Sequence, residues 1–87
     1  MKYTVRWVKH AENELARIWM DAADRKLISD AAYALETELT RSPEKVGESR
    51  GGVQRIAFSG PLIVTFEVRA DDAVVLILNV RLTTRRE

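Results

Sequence analysis

Three short apolar runs lie close together in the last third of the chain, and they constrain the fold more than any other feature. They cover residues 53–58, 62–69 and 74–81. β-branched and aromatic residues are frequent in them, as is typical of strands. Only Ser59-Gly60-Pro61 and a turn around Asp71-Asp72 separate the runs, and connections this short join antiparallel neighbours. The runs therefore predict a three-stranded antiparallel meander.

The first half of the chain predicts one strand and two helices. Residues 3–8 alternate between two faces and read as a first strand. From Ala11 the apolar spacing becomes helical, and a second amphipathic helix is expected from about Asp24 to Thr40. Pro43 ends the second helix, because proline disfavours helical backbone in the residue before it. The expected apolar stripes are Ala11, Leu15, Ile18, Trp19 and Ala22 in the first helix, and Leu27, Ile28, Ala31, Leu35 and Leu39 in the second.

These elements predict an α+β fold with the order β-α-α-β-β-β. The joint between the helices is short, so they should form a hairpin that covers one face of a small, mostly antiparallel sheet. The last strand, which is apolar on both sides, should be central. A chain of 87 residues has room for one core, so residues 1–87 are expected to form a single domain.

Composition narrows the setting and the chemistry. The chain has no cysteine, which excludes disulfides, thiolate catalysis and cysteine-based zinc sites and favours an intracellular protein. It lacks the apolar core of a signal peptide and any run of about 20 apolar residues, so no membrane partner and a cytoplasmic location are expected. No metal-ligand spacing, phosphate-binding glycine loop or nucleophile triad is present, and we expect no metal or other cofactor.

The net charge of +1 hides an asymmetry. Residues 11–40 contain seven acidic and three basic side chains, so the rest of the chain carries an excess of about five positive charges. A mildly basic remainder beside an acidic helical side suits contact with a polyanion, although many small domains show a similar imbalance.

Alternate residues of the meander should face away from the helices. If the apolar set packs on the helices, Arg55 and Ala57 point outward from the second strand. Glu67 and Arg69 lie with Ile63 and Thr65 on the third strand, and Ile77, Asn79 and Arg81 share that side on the last. One β-bulge would invert this assignment.

The outward residues suggest phosphate chemistry. Arginine offers a fork of donors that fits phosphate and stabilises developing charge, but it cannot act as a base at neutral pH. Glu67 is the one acid on this face and the candidate proton acceptor. The plainer interpretation is that these side chains form solvated cross-strand pairs. We expect His10 to be a surface or capping residue, and Trp7 and Trp19 to lie in the core.

Several short motifs resemble the RelE/ParE toxin superfamily, the toxin halves of bacterial toxin–antitoxin pairs. The resemblance spans nearly the whole chain. It is carried by Ser42-Pro43, by Arg50-Gly51-Gly52-Val53-Gln54-Arg55-Ile56-Ala57-Phe58-Ser59-Gly60, by Val64-Thr65-Phe66-Glu67-Val68 and by Asn79-Val80-Arg81. It implies a RelE-like fold and a cognate antitoxin as partner.

In the RNA-cleaving branch of this superfamily, basic residues of the sheet bind messenger RNA on the ribosome. They promote attack of a ribose 2′-hydroxyl on the adjacent phosphate, without a metal. Arg55 and Arg81 match the basic positions of two strands. The resemblance therefore implies a ribosome-dependent mRNA endoribonuclease in which Arg55 and Arg81 hold the phosphate. Glu67, the acid predicted on the same face, completes the set of candidate catalytic residues as proton acceptor. The candidate RNA-binding residues are Asn79 on the predicted polar face and the neighbouring Arg50, Arg69 and Arg85.

Two departures from the pattern leave the activity open. Ile63 occupies the position of an arginine usual in the family, and the C-terminal residues include no tyrosine or histidine. The alternatives are a ParE-like inhibitor of DNA gyrase and a catalytically silent module that binds other proteins. The first helix also offers Trp19 and Met20 to a second copy of the chain, so a homodimer is a further expectation.

Overall fold

Two helices and five strands make up the fold in the computed structural model, which describes residues 2–83. The predicted order β-α-α-β-β-β is confirmed, with one extra short strand before the meander. Single turns of 3₁₀-helix occupy Pro43–Lys45 and Ala70–Asp72. The elements are β1 (Thr4–Trp7), α1 (Lys9–Asp21), α2 (Arg25–Arg41), β2 (Glu48–Ser49), β3 (Gln54–Ser59), β4 (Leu62–Arg69) and β5 (Val74–Leu82).

The sheet has the strand order β1-β5-β4-β3-β2. β1 pairs with β5 in parallel, and the other three pairs are antiparallel. The last strand, predicted to be central, lies inside the sheet between β1 and β4, and β4 holds the middle position. The extra strand β2 has only two residues, which is too short to leave a periodic signal in the sequence.

The helices pack on one face of the sheet. Asp24 caps α2, since its carboxylate accepts a hydrogen bond from the Leu27 N–H at 3.1 Å.

Two residues predicted to lie in the core are wrong: Leu27 is 49% exposed, and Trp19 is 39% exposed. Trp19 instead contacts α2, where its indole N–H donates to the Ser29 hydroxyl.

One hydrophobic core lies between the helices and the sheet. Trp7 packs against this core at half-burial, and its indole N–H donates to the carboxylate of Glu36 on α2. No helix within residues 2–83 is both long and apolar enough to cross a membrane. The buried residues are Ala11, Ile28, Ala31, Leu35, Leu39, Ala57, Leu62, Val64, Phe66, Val68, Val75, Ile77 and Val80.

The predicted faces of β3 are inverted in the structure. Ala57 is 2% exposed and pairs with Val64, so it faces the helices. Arg55 pairs with buried Phe66 and lies on that same side, whereas Phe58 points outward. The cause is packing: small residues let α2 approach this strand closely. The Ser59 hydroxyl donates to the Ala31 carbonyl of α2 at 2.7 Å.

A β-bulge in β5 corrects the predicted faces of that strand. Phe66 pairs with Ile77 and Thr65 with Asn79, so Leu78 has no partner in β4. Ile77 is therefore fully buried against the helices, contrary to its predicted outward position. Asn79 and Arg81 lie beyond the bulge and face outward, as predicted.

Candidate functional site

The face of the sheet that the helices leave uncovered, here called the open face, carries most of the candidate residues. Cross-strand partners share a face, so the pairing fixes its membership. Three rows cross β3, β4 and β5: Phe58–Ile63–Arg81, Ile56–Thr65–Asn79 and Gln54–Glu67–Leu76.

Arg81 lies at one end of the open face. It is exposed, and within residues 2–83 it makes no ion pair and no side-chain hydrogen bond. Asn79, two residues earlier on the same face, has its amide nitrogen 3.3 Å from Nε2 of His10 at the start of α1. This end of the open face therefore combines an exposed guanidinium, an amide and an imidazole.

Glu67 and Arg69 lie at the other end of β4 and pair with each other. Nε of Arg69 is 2.7 Å from a carboxylate oxygen of Glu67. Glu67 and Ile63, the β4 partner of Arg81, are four residues apart, which is about 14 Å along the strand. The predicted catalytic carboxylate and Arg81 therefore lie at opposite ends of the open face.

Arg55 is engaged with the chain before β2. Its Nε donates to the Val46 carbonyl at 2.9 Å, and an Nη donates to the Gly47 carbonyl at 3.0 Å. The guanidinium thus ties β3 to the loop that precedes β2, and two of its donors are occupied.

Arg55, Glu67 and Arg69 line one cavity of about 600 Å³. Three further carboxylates line the same cavity, so acidic side chains outnumber the two arginines. Excess negative charge repels a phosphate, and the charges here do not favour an anion. The other lining carboxylates are Glu44, Asp71 and Asp72.

Of the two remaining predicted RNA-binding residues, the structure describes Arg50. Arg50 is exposed in the loop after β2, and its backbone N–H donates to the Gln54 carbonyl at 2.7 Å. Arg85 lies outside the described residues. In the part of the chain that is described, no three histidine or carboxylate side chains are grouped as metal ligands.

Sequence reasoning missed His10 and Phe58 as parts of this surface. β1 ends at Trp7 opposite Ile77, so α1 begins beside Asn79 and brings His10 to it. The predicted outward positions of Arg55 and Ala57 place Phe58 inside by alternation, but its side chain is 67% exposed. The contact between His10 and Asn79 depends on the parallel register of β1 and β5, which local sequence patterns do not encode.

An apolar groove of about 450 Å³ runs between the two helices on the side away from the sheet. Leu15, Trp19, Ile28 and Tyr33 line it. The Trp19 indole N–H donates to the Ser29 hydroxyl at 3.0 Å, and the Arg25 guanidinium lies 4.7 Å from the Trp19 ring centre. These two contacts hold the Trp19 side chain in place at the rim of the groove.

Comparison with solved structures identifies the fold. A chain of the toxin–antitoxin complex RelBE2 from Mycobacterium tuberculosis superposes with a TM-score of 0.78 at 20% identity, covering 98% of this chain and 95% of that one. The isolated RelE toxin of E. coli gives 0.71 at 16% identity, covering 98% and 88%. A chain of the chromosomal ParDE system of P. aeruginosa gives 0.72 at 14% identity, covering 95% and 98%.

The predicted RelE/ParE resemblance is therefore confirmed at the level of the fold. No protein-family model and no curated protein sequence matches the chain. RelE and ParDE structures match almost equally well, so the fold does not separate the two branches.

Proposed function

We propose that this chain is the toxin of a type II toxin–antitoxin pair, and that it cleaves messenger RNA on the ribosome in the manner of RelE. The observation that carries the proposal is a fold likeness over nearly the whole of RelE, combined with exposed Arg81 on the open face. The guanidinium of Arg81 has no acidic partner within residues 2–83, so its donors are available to a phosphate.

Arg81 would act on the phosphate that reacts. In this cleavage the ribose 2′-oxygen gives up its proton and bonds to phosphorus. The bond from phosphorus to the 5′-oxygen of the next nucleotide breaks, and that oxygen leaves as a hydroxyl after taking a proton from water. Negative charge grows on the phosphate oxygens in the transition state, where guanidinium donors bind it most strongly. Asn79, two residues before Arg81 on the same face of β5, would offer a further hydrogen bond to the same nucleotide.

The proton of the 2′-hydroxyl needs an acceptor. Glu67 is the acceptor first expected, but it is paired with Arg69 and lies far from Arg81 along the strand. His10 is the titratable side chain beside Asn79. We therefore propose to compare Glu67→Gln with His10→Gln, and the variant that alone loses cleavage identifies the acceptor.

The test is a map of messenger RNA 5′ ends in bacteria minutes after pulsed expression. We expect new ends inside translated frames, and a loss of roughly 100-fold or more in the Arg81→Ala variant. The matched control is Arg17→Ala, an exposed arginine on α1 that should leave the new ends unchanged. Unchanged 5′ ends with the original chain would refute the nuclease.

One observation favours a second candidate, a ParE-like inhibitor of DNA gyrase. Ile63 makes the centre of the row beside Arg81 apolar, and Arg55 is bound to loop carbonyls. Within residues 2–83, the open face thus presents Arg81 without Arg55, the second arginine of the predicted catalytic pair. Growth arrest with intact RNA and inhibited supercoiling by purified gyrase would support this candidate. Intact RNA without growth arrest would support a silent protein-binding module.

The proposed partner in each case is a cognate antitoxin. Two of the compared structures are toxin–antitoxin systems, and the groove between α1 and α2 offers an apolar surface for a helix. Trp19 lines the groove at partial exposure, so Trp19→Ala should weaken the complex without removing toxicity. Unchanged co-purification of the two proteins would place the antitoxin elsewhere.

A further inference from the structure

Phe58 is an exposed aromatic residue on the open face. It lies on β3, two residues beyond the last residue that pairs with β2. Its side chain is 67% exposed. Its two flanking residues, Ala57 and Ser59, make the contacts with the helices. The ring therefore contributes little to the core and is largely accessible to solvent.

The neighbours of Phe58 across the sheet are an apolar residue and a cation. Ile63 is its partner on β4, and Arg81 is the next residue in the row on β5. Two strand spacings separate Phe58 from Arg81, which is about 10 Å between backbones. Thr65 and Asn79 in the next row offer hydrogen-bonding groups. An aromatic ring, an apolar floor and a guanidinium thus lie side by side.

A second group of cations borders Phe58 at the edge of the sheet. Phe58 lines a groove of about 490 Å³ together with Arg41 at the end of α2 and Lys45 in the following turn. Neither cation forms an ion pair within residues 2–83, and Glu38 is the single carboxylate in the lining. Phe58 therefore stands between Arg81 on one side and two further cations on the other.

We infer that Phe58 is a base-stacking residue for single-stranded RNA, with a base on its ring and the flanking phosphates near Arg81 and near Arg41 and Lys45. Proteins that bind single strands combine aromatic platforms with cationic tracks in this way. Ile63, in the position where the family usually has arginine, widens the apolar platform next to the ring. The inference rests on the proposed function, because it assigns how the RNA substrate is held.

Binding of a short single-stranded oligoribonucleotide to the purified full chain, without ribosomes, tests this inference. One base carries the fluorescent analogue 2-aminopurine, which loses emission when it stacks on an aromatic ring. Phe58→Tyr keeps a ring, and Phe58→Leu keeps the apolar character without one. We expect affinity within about twofold for Phe58→Tyr and a loss of roughly 10-fold for Phe58→Leu, together with loss of quenching.

Tyr33→Leu is the matched control, because Tyr33 is an aromatic residue on α2 that is 73% exposed. It should bind the RNA like the original chain, and thermal unfolding should show that all three variants fold. Equal affinity of Phe58→Leu and the original chain would overturn the inference and favour a protein partner on this edge. No binding by the original chain would overturn it as well. Stacking on Phe58 in a chain that leaves cellular RNA intact would refute only the proposed nuclease.

Discussion

Arg55 shows how a residue with the right chemistry can be committed to the structure. It donates to the carbonyls of Val46 and Gly47 and so holds the loop before β2 against β3. Its position on the helix side of the sheet keeps it away from the row that contains Arg81. A toxicity assay on an Arg55 variant therefore measures folding and function together.

We predict that Arg55→Ala lowers the free energy of unfolding by about 1–2 kcal/mol, because two charge-assisted hydrogen bonds are lost at a partly buried position. Urea denaturation measures the change. The control is Arg50→Ala, an exposed arginine in the next loop, which should alter stability by less than about 0.5 kcal/mol. Equal stability of the two variants would show that the bonds to the loop contribute nothing.

Gly47 is the second residue on which this loop depends. Its φ angle is +68°, and an added Cβ would lie 2.1 Å from the Ile56 carbonyl oxygen. We predict that Gly47→Ala costs about 2 kcal/mol or more, since the backbone of β3 must shift in addition to the strained φ.

Gly52→Ala separates these two causes. Gly52 also has a positive φ, +56°, but no atom lies within 4 Å of the added Cβ. We expect it to cost only about 1 kcal/mol, the strain of the left-handed backbone. Urea denaturation of both variants measures the two losses in the free energy of unfolding. Equal losses would mean that the backbone of β3 moves away from the added Cβ of Gly47→Ala at little energetic cost.

At the scale of elements, alternation predicts β4 well because one of its faces is buried and the other is not. Leu62, Val64 and Phe66 are fully buried, whereas Ile63 and Thr65 are only partly so. The same reasoning fails for β5, which is apolar on both sides and carries a bulge at Leu78. A strand without alternation gives no information on register, so only the pairing with β4 decides it.

The candidate site was harder to predict than the fold for a related reason. Arg81 and Asn79 were placed correctly because they lie beyond the bulge. The predicted faces of Arg55 and Phe58 are wrong, because hydrophobicity alone favours burying phenylalanine and exposing arginine. The close approach of α2 instead selects small Ala57 and Ser59, and that approach is a tertiary fact absent from the local pattern.

The start of α2 is fixed by one side chain, and this gives a prediction at the element scale. The Asp24 carboxylate accepts a hydrogen bond from the Leu27 N–H and caps this end of the helix. We predict that Asp24→Ala lowers stability by about 1 kcal/mol, and that Asp24→Ser restores most of it because serine also caps well. Thermal unfolding monitored by circular dichroism provides the measurement. If Asp24→Ser and Asp24→Ala lost similar stability, the contribution of Asp24 would come from its negative charge and not from the capping hydrogen bond.

At the scale of the whole molecule, charge is divided between two sides. The helical segment, residues 11–40, carries a net negative charge, and the rest is positive. The molecule is 20–23 Å thick across its shorter axes, about twice the distance over which 0.1 M salt screens a charge. The two sides therefore act on a charged partner nearly independently, although the net charge is only +1.

This division predicts how RNA affinity responds to single charge changes. Arg81→Gln removes a cation from the open face, so affinity should fall. The slope of log affinity against log salt should decrease in size by about 0.7, the value for one phosphate contact on a single strand.

Asp30→Asn is the control, because it changes the net charge by the same amount in the opposite direction. Asp30 lies on α2, where it raises the pKa of Lys26 through a hydrogen bond and its charge. We expect that change to leave affinity and slope unaltered, because the carboxylate faces away from the open face and is screened from it. Binding titrations at several salt concentrations measure both quantities. If Asp30→Asn raised affinity by as much as Arg81→Gln lowered it, RNA would be responding to net charge and the open face would have no special role.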